Sequence, residues 1–263
     1  MNARMPAVAG QFYPKSESQL KKTLENLFLN AKTTPSSRAI IAPHAGYIYS
    51  GRTAALAHAR LEKAETFVLL GPNHTGLGPS ISVSESSEWI TPLGRIKTDA
   101  VIAKKIIEKS AAEFDLLAHI GEHSLEVQLP FLQYRFGEFK IVPLTIASCS
   151  LKELLELGNA IAELKGDIAV IASSDFSHFI PLKKAKEKDL EAIELALKVN
   201  PEGFHSLVSQ KNLSICGHNA ITVLLQYCKK KGLKKGELLE YCTSADRTGD
   251  QSSVVGYAGI AFH

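Results

Sequence analysis

An α/β fold, with a mostly parallel central sheet flanked by helices, is the class this sequence predicts. Short apolar runs closed by Gly, Pro or Ser alternate with longer amphipathic stretches along the whole chain. No composition shift, internal repeat or long linker divides residues 1–263, so a single domain is expected. With 45% apolar and 22% charged residues, the 263-residue chain has the make-up of an average soluble globular protein. At that length it can bury about three quarters of its extended surface in a core.

The first helix is expected from Ser16, which heads a capping-box spacing with Gln19 ahead of Leu20, Leu24 and Leu27. An apolar run over residues 39–44, stopped by Pro43, reads as a strand, and a helix through Ala54, Ala55, Leu56 and Ala57 is expected to begin near Ser50. The strand over 66–70 ends in Gly71, Pro72, Asn73 and His74. Alternation over 80–84 suggests an edge strand, and Thr98 is expected to cap a helix carrying Val101, Ile102, Ile106 and Ile107. After a helix over 124–136, residues 140–146 read as a strand whose Pro143 points to an edge or a bulge. Ser150 and Glu153 form a second capping box for a helix to Leu164, and 167–172 is the clearest buried strand. Helices over 182–199, 201–210 and 217–231, the last closed by Gly232, precede a final strand over 253–262.

Thirty basic against twenty-seven acidic side chains leave a net charge of +3, too mild to point to nucleic acid or an acidic membrane. The uncharged stretch 66–84 holds three Gly and two Pro with Asn73 and His74, which no lipid-exposed helix would carry together. Four scattered cysteines, with no C-x-x-C pair and no secretion signal, fit a reducing cytoplasm. Phosphate-binding loops, dinucleotide fingerprints and the G-x-S-x-G nucleophile elbow are absent from the sequence, which removes nucleotide-driven and serine-hydrolase chemistry.

The informative pattern is the placement of three histidines. His44, His74 and His178 each follow the C-terminal end of a predicted core strand, where the ligand crevice of an open α/β sheet lies. Turn residues surround the first two and let backbone approach a ligand closely. Asp175, three residues before His178, could orient it as a general acid/base, bind metal, or simply cap a turn. Cys216 stands before a predicted helix, a position that favours the thiolate needed for metal ligation. His119-Ile-Gly-Glu122-His123 has the spacing of an inverted zincin, but Gly121 interrupts the helix that chemistry needs. A loop carrying Glu122 and His123 toward the crevice is the expected geometry.

These residues fall within motifs that resemble the Memo family. The matching pieces are Ala7-Val-Ala-Gly-x-Phe-Tyr-Pro14, Pro43-His-Ala-Gly-Tyr47, Gly71-Pro-Asn-His74 and Glu122-His-Ser-Leu-Glu126 with Gln128-Leu-Pro-Phe131. Ser173-Ser-Asp-Phe-Ser-His178, Ile215-Cys-Gly217 and Asp250-Gln-Ser-Ser-Val254 complete a set that spans the chain in order. The resemblance implies a fold similar to the catalytic subunit of class III extradiol dioxygenases, non-haem Fe(II) enzymes that open catechol rings. It implies His44, His74 and Cys216 as metal ligands, His178 as general acid/base with Asp175 beside it, and His123 lining the pocket. Extradiol enzymes complete their triad with Glu, whereas Cys216 stands here; a thiolate is softer and suits copper, zinc or a differently tuned iron. Expected on that basis is a divalent metal, Fe(II) first with Cu or Zn as substitutes, serving redox or dioxygenase-like chemistry on a small molecule. The alternatives are a non-catalytic module that binds a peptide or aromatic ligand, with Tyr47 stacking beside His44, and a metal-dependent hydrolase. The family resemblance also implies association with AMMECR-type and radical-SAM proteins.

Overall fold

The computed structural model describes residues 3–29, 31 and 34–263. Its first half runs β1 (Ala3–Arg4), α1 (Glu17–Leu29), β2 (Ala39–Ala42), α2 (Tyr47–Arg60), β3 (Thr66–Pro72), β4 (Ile81–Ser84), β5 (Glu88–Thr91) and β6 (Gly94–Thr98). There follow α3 (Ala100–Ile107), β7 (Glu113–Asp115), α4 (Leu117–Ile120), α5 (Leu129–Phe136) and β8 (Lys140–Ile146). The rest comprises α6 (Leu151–Ala162), β9 (Ile168–Ser173), β10 (His178–Ile180), α7 (Leu182–Leu197), α8 (Pro201–Gln210), α9 (His218–Lys231), β11 (Gly236–Thr243), α10 (Ala245–Thr248) and β12 (Val254–Phe262).

Among the described residues these strands form one mixed sheet in the order β1-β5-β6-β8-β3-β9-β2-β12-β10, with β4 and β11 pairing onto β8 and β12 and β7 beyond β4. Its centre is parallel: β6, β8, β3, β9 and β2 all run the same way. The antiparallel additions gather at the two sides. Period-2 side-chain alternation divides the core. Val68, Leu70, Val170 and Ala172 face a layer that includes residues of α6, α8 and α9, while Phe67, Leu69, Ala169 and Ile171 face Leu129 and Leu132 of α5. Strands buried on both faces must be apolar at nearly every position, which is why they read as short unbroken runs.

Several expectations shift on inspection. α2 begins at Tyr47, three residues before the Ser50 start, behind Gly46. Asp99, not Thr98, caps α3, its carboxylate accepting from the Ile102 amide. The 80–84 strand is no edge, since β4 lies between β8 and β7. Nor does Pro143 mark an edge or bulge: β8 is paired to β3 along its whole length. On the other side β6 covers Lys140 and Ile141 while β4 covers 144–146, so Pro143 sits between the two partners, where a missing N–H leaves no ladder bond unmade. The Ser150–Glu153 capping box and the left-handed Gly232 after α9 are as expected. The β5–β6 hairpin and β11 were not anticipated.

Candidate functional site

Three neighbouring parallel strands, β3, β9 and β2, end at one rim of the sheet. His44 follows β2 by two residues, His74 follows β3 by two, and His178 comes after β9 as the first residue of β10. His44 and His74 thus stand directly at strand ends, as the strand-end argument expects, and His178 stands five residues beyond the end of β9. Cys216 reaches the same rim from the loop ahead of α9. Gly217 allows that approach: a Cβ there would lie 2.6 Å from the Ser173 carbonyl oxygen and 2.6 Å from Ser174 Cβ. Only a residue without a side chain lets the α9 N-terminus press this closely on the end of β9.

One ligand atom from each of His44, His74 and Cys216 falls within 4.8 Å of the other two. The His44 ring is buried, Cys216 is half-buried and His74 opens to solvent, so the group forms a floor with an open top. Hydrogen bonds fix the orientation of both imidazoles. His44 Nδ1 lies 2.9 Å from Ser173 Oγ, whose own proton is committed to the Ser124 carbonyl at 2.7 Å while it accepts from Gln128 Nε2 at 2.8 Å. Nδ1 of His44 is thus the donor, and its Nε2 lone pair faces Cys216 Sγ at 3.3 Å. His74 Nδ1 likewise donates to the Glu122 carboxylate at 3.0 Å, leaving Nε2 free. Imidazoles held by one nitrogen and offered by the other are the usual dress of metal-binding histidines.

Electrostatics agree. Burial pushes the His44 pKa well below its ordinary value, with the His123 and His74 charges adding to the effect, so the ring is a neutral lone-pair donor. Burial also drives the Cys216 thiol well above its ordinary range, and the neighbouring Asp175 charge adds to it. The helix N-terminus expected to favour a thiolate is outweighed here by desolvation. The thiol keeps its proton beside His44 Nε2, and a soft or borderline ion bound there would take that proton's place. The donor set, two imidazole nitrogens and one sulfur, therefore fits a transition metal.

The remaining site residues are arranged around this floor. Asp175 is buried, and its carboxylate accepts from the His44 amide at 2.8 Å, fastening the loop that carries His44. Its own amide donates to Cys216 Sγ at 3.3 Å. Burial raises its pKa, and the His44 amide and the His178 charge pull back against that rise. His178 donates Nδ1–H to the Ser214 carbonyl at 2.8 Å, which leaves its Nε2 lone pair available. His123 lines the pocket: its ring stacks on His74 at 4.6 Å and meets His44 edge-on at 5.5 Å.

Glu122 has a part that sequence reasoning did not assign. It is fully buried, and its oxygens accept from the amides of His74 (2.5 Å), His123 (2.9 Å) and Ser124 (2.8 Å) as well as from the His74 ring. Burial acts to raise its pKa, but the His74 ring and these amides more than offset that and hold the carboxyl down at about 2. His74, Glu122 and His123 also lie close enough to suggest a second cation. Stacked rings inclined by only 19° cannot aim both lone pairs at one point, and the carboxylate is already saturated with donors. Glu122 orients His74 instead. His119 belongs elsewhere: it is buried with Nε2 3.2 Å from the Ser82 carbonyl, and α4 ends at Ile120 before Gly121, so no inverted-zincin helix exists. Tyr47, expected to stack on a ligand, is a core residue, 5% exposed, with its hydroxyl on the Val127 carbonyl at 2.8 Å.

The profile of the Memo-like protein family matches residues 4–261. The chain is 43% identical over 263 residues to a MEMO1 family protein of Methanosarcina barkeri, covering 98% of each. It is 41% identical over 266 residues to one of Aquifex aeolicus, covering 100% of each. The crystal structure of an uncharacterized protein of Escherichia coli K12 shares the fold, with a TM-score of 0.57 and 16% identity over 84% of this chain and 98% of that one. The chain belongs to the Memo family.

Proposed function

We propose that this protein is a metal-dependent redox protein whose His44, His74 and Cys216 hold one divalent ion, Fe(II) first with Cu or Zn as substitutes. Its activity is dioxygenase-like and its substrate a small molecule. The observation that carries the reading is the convergence of one ring nitrogen from each of His44 and His74 with the sulfur of Cys216, drawn from segments 30 to 172 positions apart, within 4.8 Å. When bound, such an ion would supply electron transfer or polarisation of a substrate. His178 holds or accepts a proton at Nε2, its orientation set by the Ser214 carbonyl. Asp175 positions the His44 loop, and Glu122 fixes the ring of His74. His123 lines the pocket, and Phe12 packs against its ring with centroids 4.9 Å apart. The extradiol-like fold that the Memo resemblance implies is what points to oxygen-dependent chemistry, and a sulfur ligand would set this site apart from the carboxylate triad of those enzymes.

Metal analysis after anaerobic Fe(II) or Cu loading tests the reading. Wild-type protein and Cys228→Ala, which alters a buried core thiol, are expected to retain close to one equivalent. Cys216→Ala is expected to lose most of it. No stoichiometric uptake by wild type, or equal uptake by Cys216→Ala, overturns the assignment.

A further inference from the structure

We propose that residues 3–13 form a clamp, closed on the Glu126 carboxylate, that presets the orientation of both imidazoles of the metal site. The inference rests on the metal reading above for its functional meaning but on separate contacts for its geometry. Glu126 is fully buried and hydrogen-bonds to none of the proposed ligands. All its partners come from one short segment more than a hundred positions earlier. Arg4 Nη1 pairs with it, the amides of Ala7 and Val8 donate at 2.8 and 3.1 Å, and the Tyr13 hydroxyl donates at 2.5 Å. A carboxylate taken wholly out of water needs such a set of donors, so this one group draws the segment into a closed loop.

The loop then touches both ligand-bearing turns. Arg4 donates onward to the backbone carbonyls of Glu122 and, at 3.0 Å, His119, with its guanidinium 4.4 Å from the Trp89 ring. That fixes the backbone whose Glu122 carboxylate holds His74. Phe12 packs on His123, the ring that stacks against His74. The Phe12 carbonyl accepts from the Tyr47 amide at 2.8 Å, closing the turn that follows His44. The segment thus reaches His74 by two routes and His44 by one without contacting the metal position. Glu126 and Arg4 are positioning residues.

A plain structural staple would contribute stability alone, whereas a clamp also controls imidazole geometry. Nitrogen-15 histidine NMR of the metal-free full chain separates the two. Wild type is expected to show His74 and His44 each as a single Nδ1–H tautomer with a slowly exchanging ring proton. Glu126→Gln, and to a smaller extent Tyr13→Phe, are expected to mix the His74 tautomers and speed that exchange. In Co(II) titrations the same variants should bind 10- to 100-fold more weakly, the usual effect of losing an outer partner. Ile193→Ala, a core truncation in α7, controls for lost stability and should leave both readouts unchanged. Unaltered His74 tautomers and exchange in the two variants overturn the clamp. If wild type takes up no Co(II), the metal reading fails and the NMR comparison still decides the clamp. Should Glu126→Gln not fold, Tyr13→Phe carries the test.

Discussion

His74 illustrates how one residue's chemistry is set by others. Its Nε2 is offered to the site because Nδ1 is spent on Glu122, and Glu122 stays ionised because the same imidazole and several amides hold it so. Glu122→Gln keeps the shape but removes the charge, so the amide can serve the His74 ring from either of its ends. Metal affinity is expected to fall by about 10- to 100-fold, and the melting temperature to fall as well because the amide meets buried N–H donors that the carboxylate satisfied, read by isothermal titration beside a thermal melt. An unchanged affinity would show that His74 needs no orienting partner. Much of this site was legible in residues: the histidines stood where strand runs stopped, and turn residues framed two of them. The proposed ligand role of Cys216 was one option offered by its place before a helix and became specific only through the resemblance, because an unpaired cysteine there reads equally as packing. Ser173 and Glu122 gave no local signal as orienting partners, since they meet His44 and His74 across 129 and 48 positions of chain. Glu126 and Gln128 left a faint one, polar residues set inside the otherwise apolar run 125–131.

At the level of elements, the junction of β9 with the loop before α9 decides whether sulfur joins nitrogen. Gly217 lies against the Ser173 carbonyl and the Ser174 side chain, and its amide accepts no substitute for that proximity, donating to Ser174 Oγ at 3.0 Å. In Gly217→Ala the added carbon meets backbone that cannot swing away. A loss of about 1–3 kcal/mol in stability is expected from overpacking, together with weaker metal binding as Cys216 is pushed off the rim. Denaturant titration and metal uptake measure the two effects, and a variant that matches wild type in both contradicts the packing argument. Elements buried on both faces or carrying capping boxes were legible in sequence, as β3, β9 and α6 show. The β5–β6 hairpin and β11 were not, since their half-exposed strands mix charge with apolar residues and their pairing depends on distant neighbours.

For the whole molecule, buried histidines link stability to pH. Desolvation lowers His58 to about 3 and His119 to about 4, against an ordinary value near 6.5. The unfolded chain therefore takes up protons below pH 6.5 that the folded chain refuses. The stabilisation these neutral rings represent is complete above pH 6.5 and is lost as pH falls toward 4 and then 3. For His119 the loss approaches roughly 3 kcal/mol by pH 4. Glu122 adds a second stage, present above its ordinary value of 4.5 and lost as pH falls toward 2. Urea unfolding at pH 7.5, 5.5 and 4.5 is expected to show steadily declining stability, with a shallower slope in His119→Asn. A flat profile across that range contradicts the assigned burial. Fold class was legible because strand–helix alternation is a property of the entire chain, and the mixed sheet adds its antiparallel pairings at the sides of the parallel centre that carries the site.

The convergence of His44, His74 and Cys216 is most directly tested by anomalous diffraction at the iron edge, from crystals grown anaerobically with Fe(II). The account predicts a single strong peak bonded to His44 Nε2, His74 Nε2 and Cys216 Sγ. A peak between His74 Nδ1, Glu122 and His123, or none at the rim of the sheet in protein that has taken up iron, would contradict it.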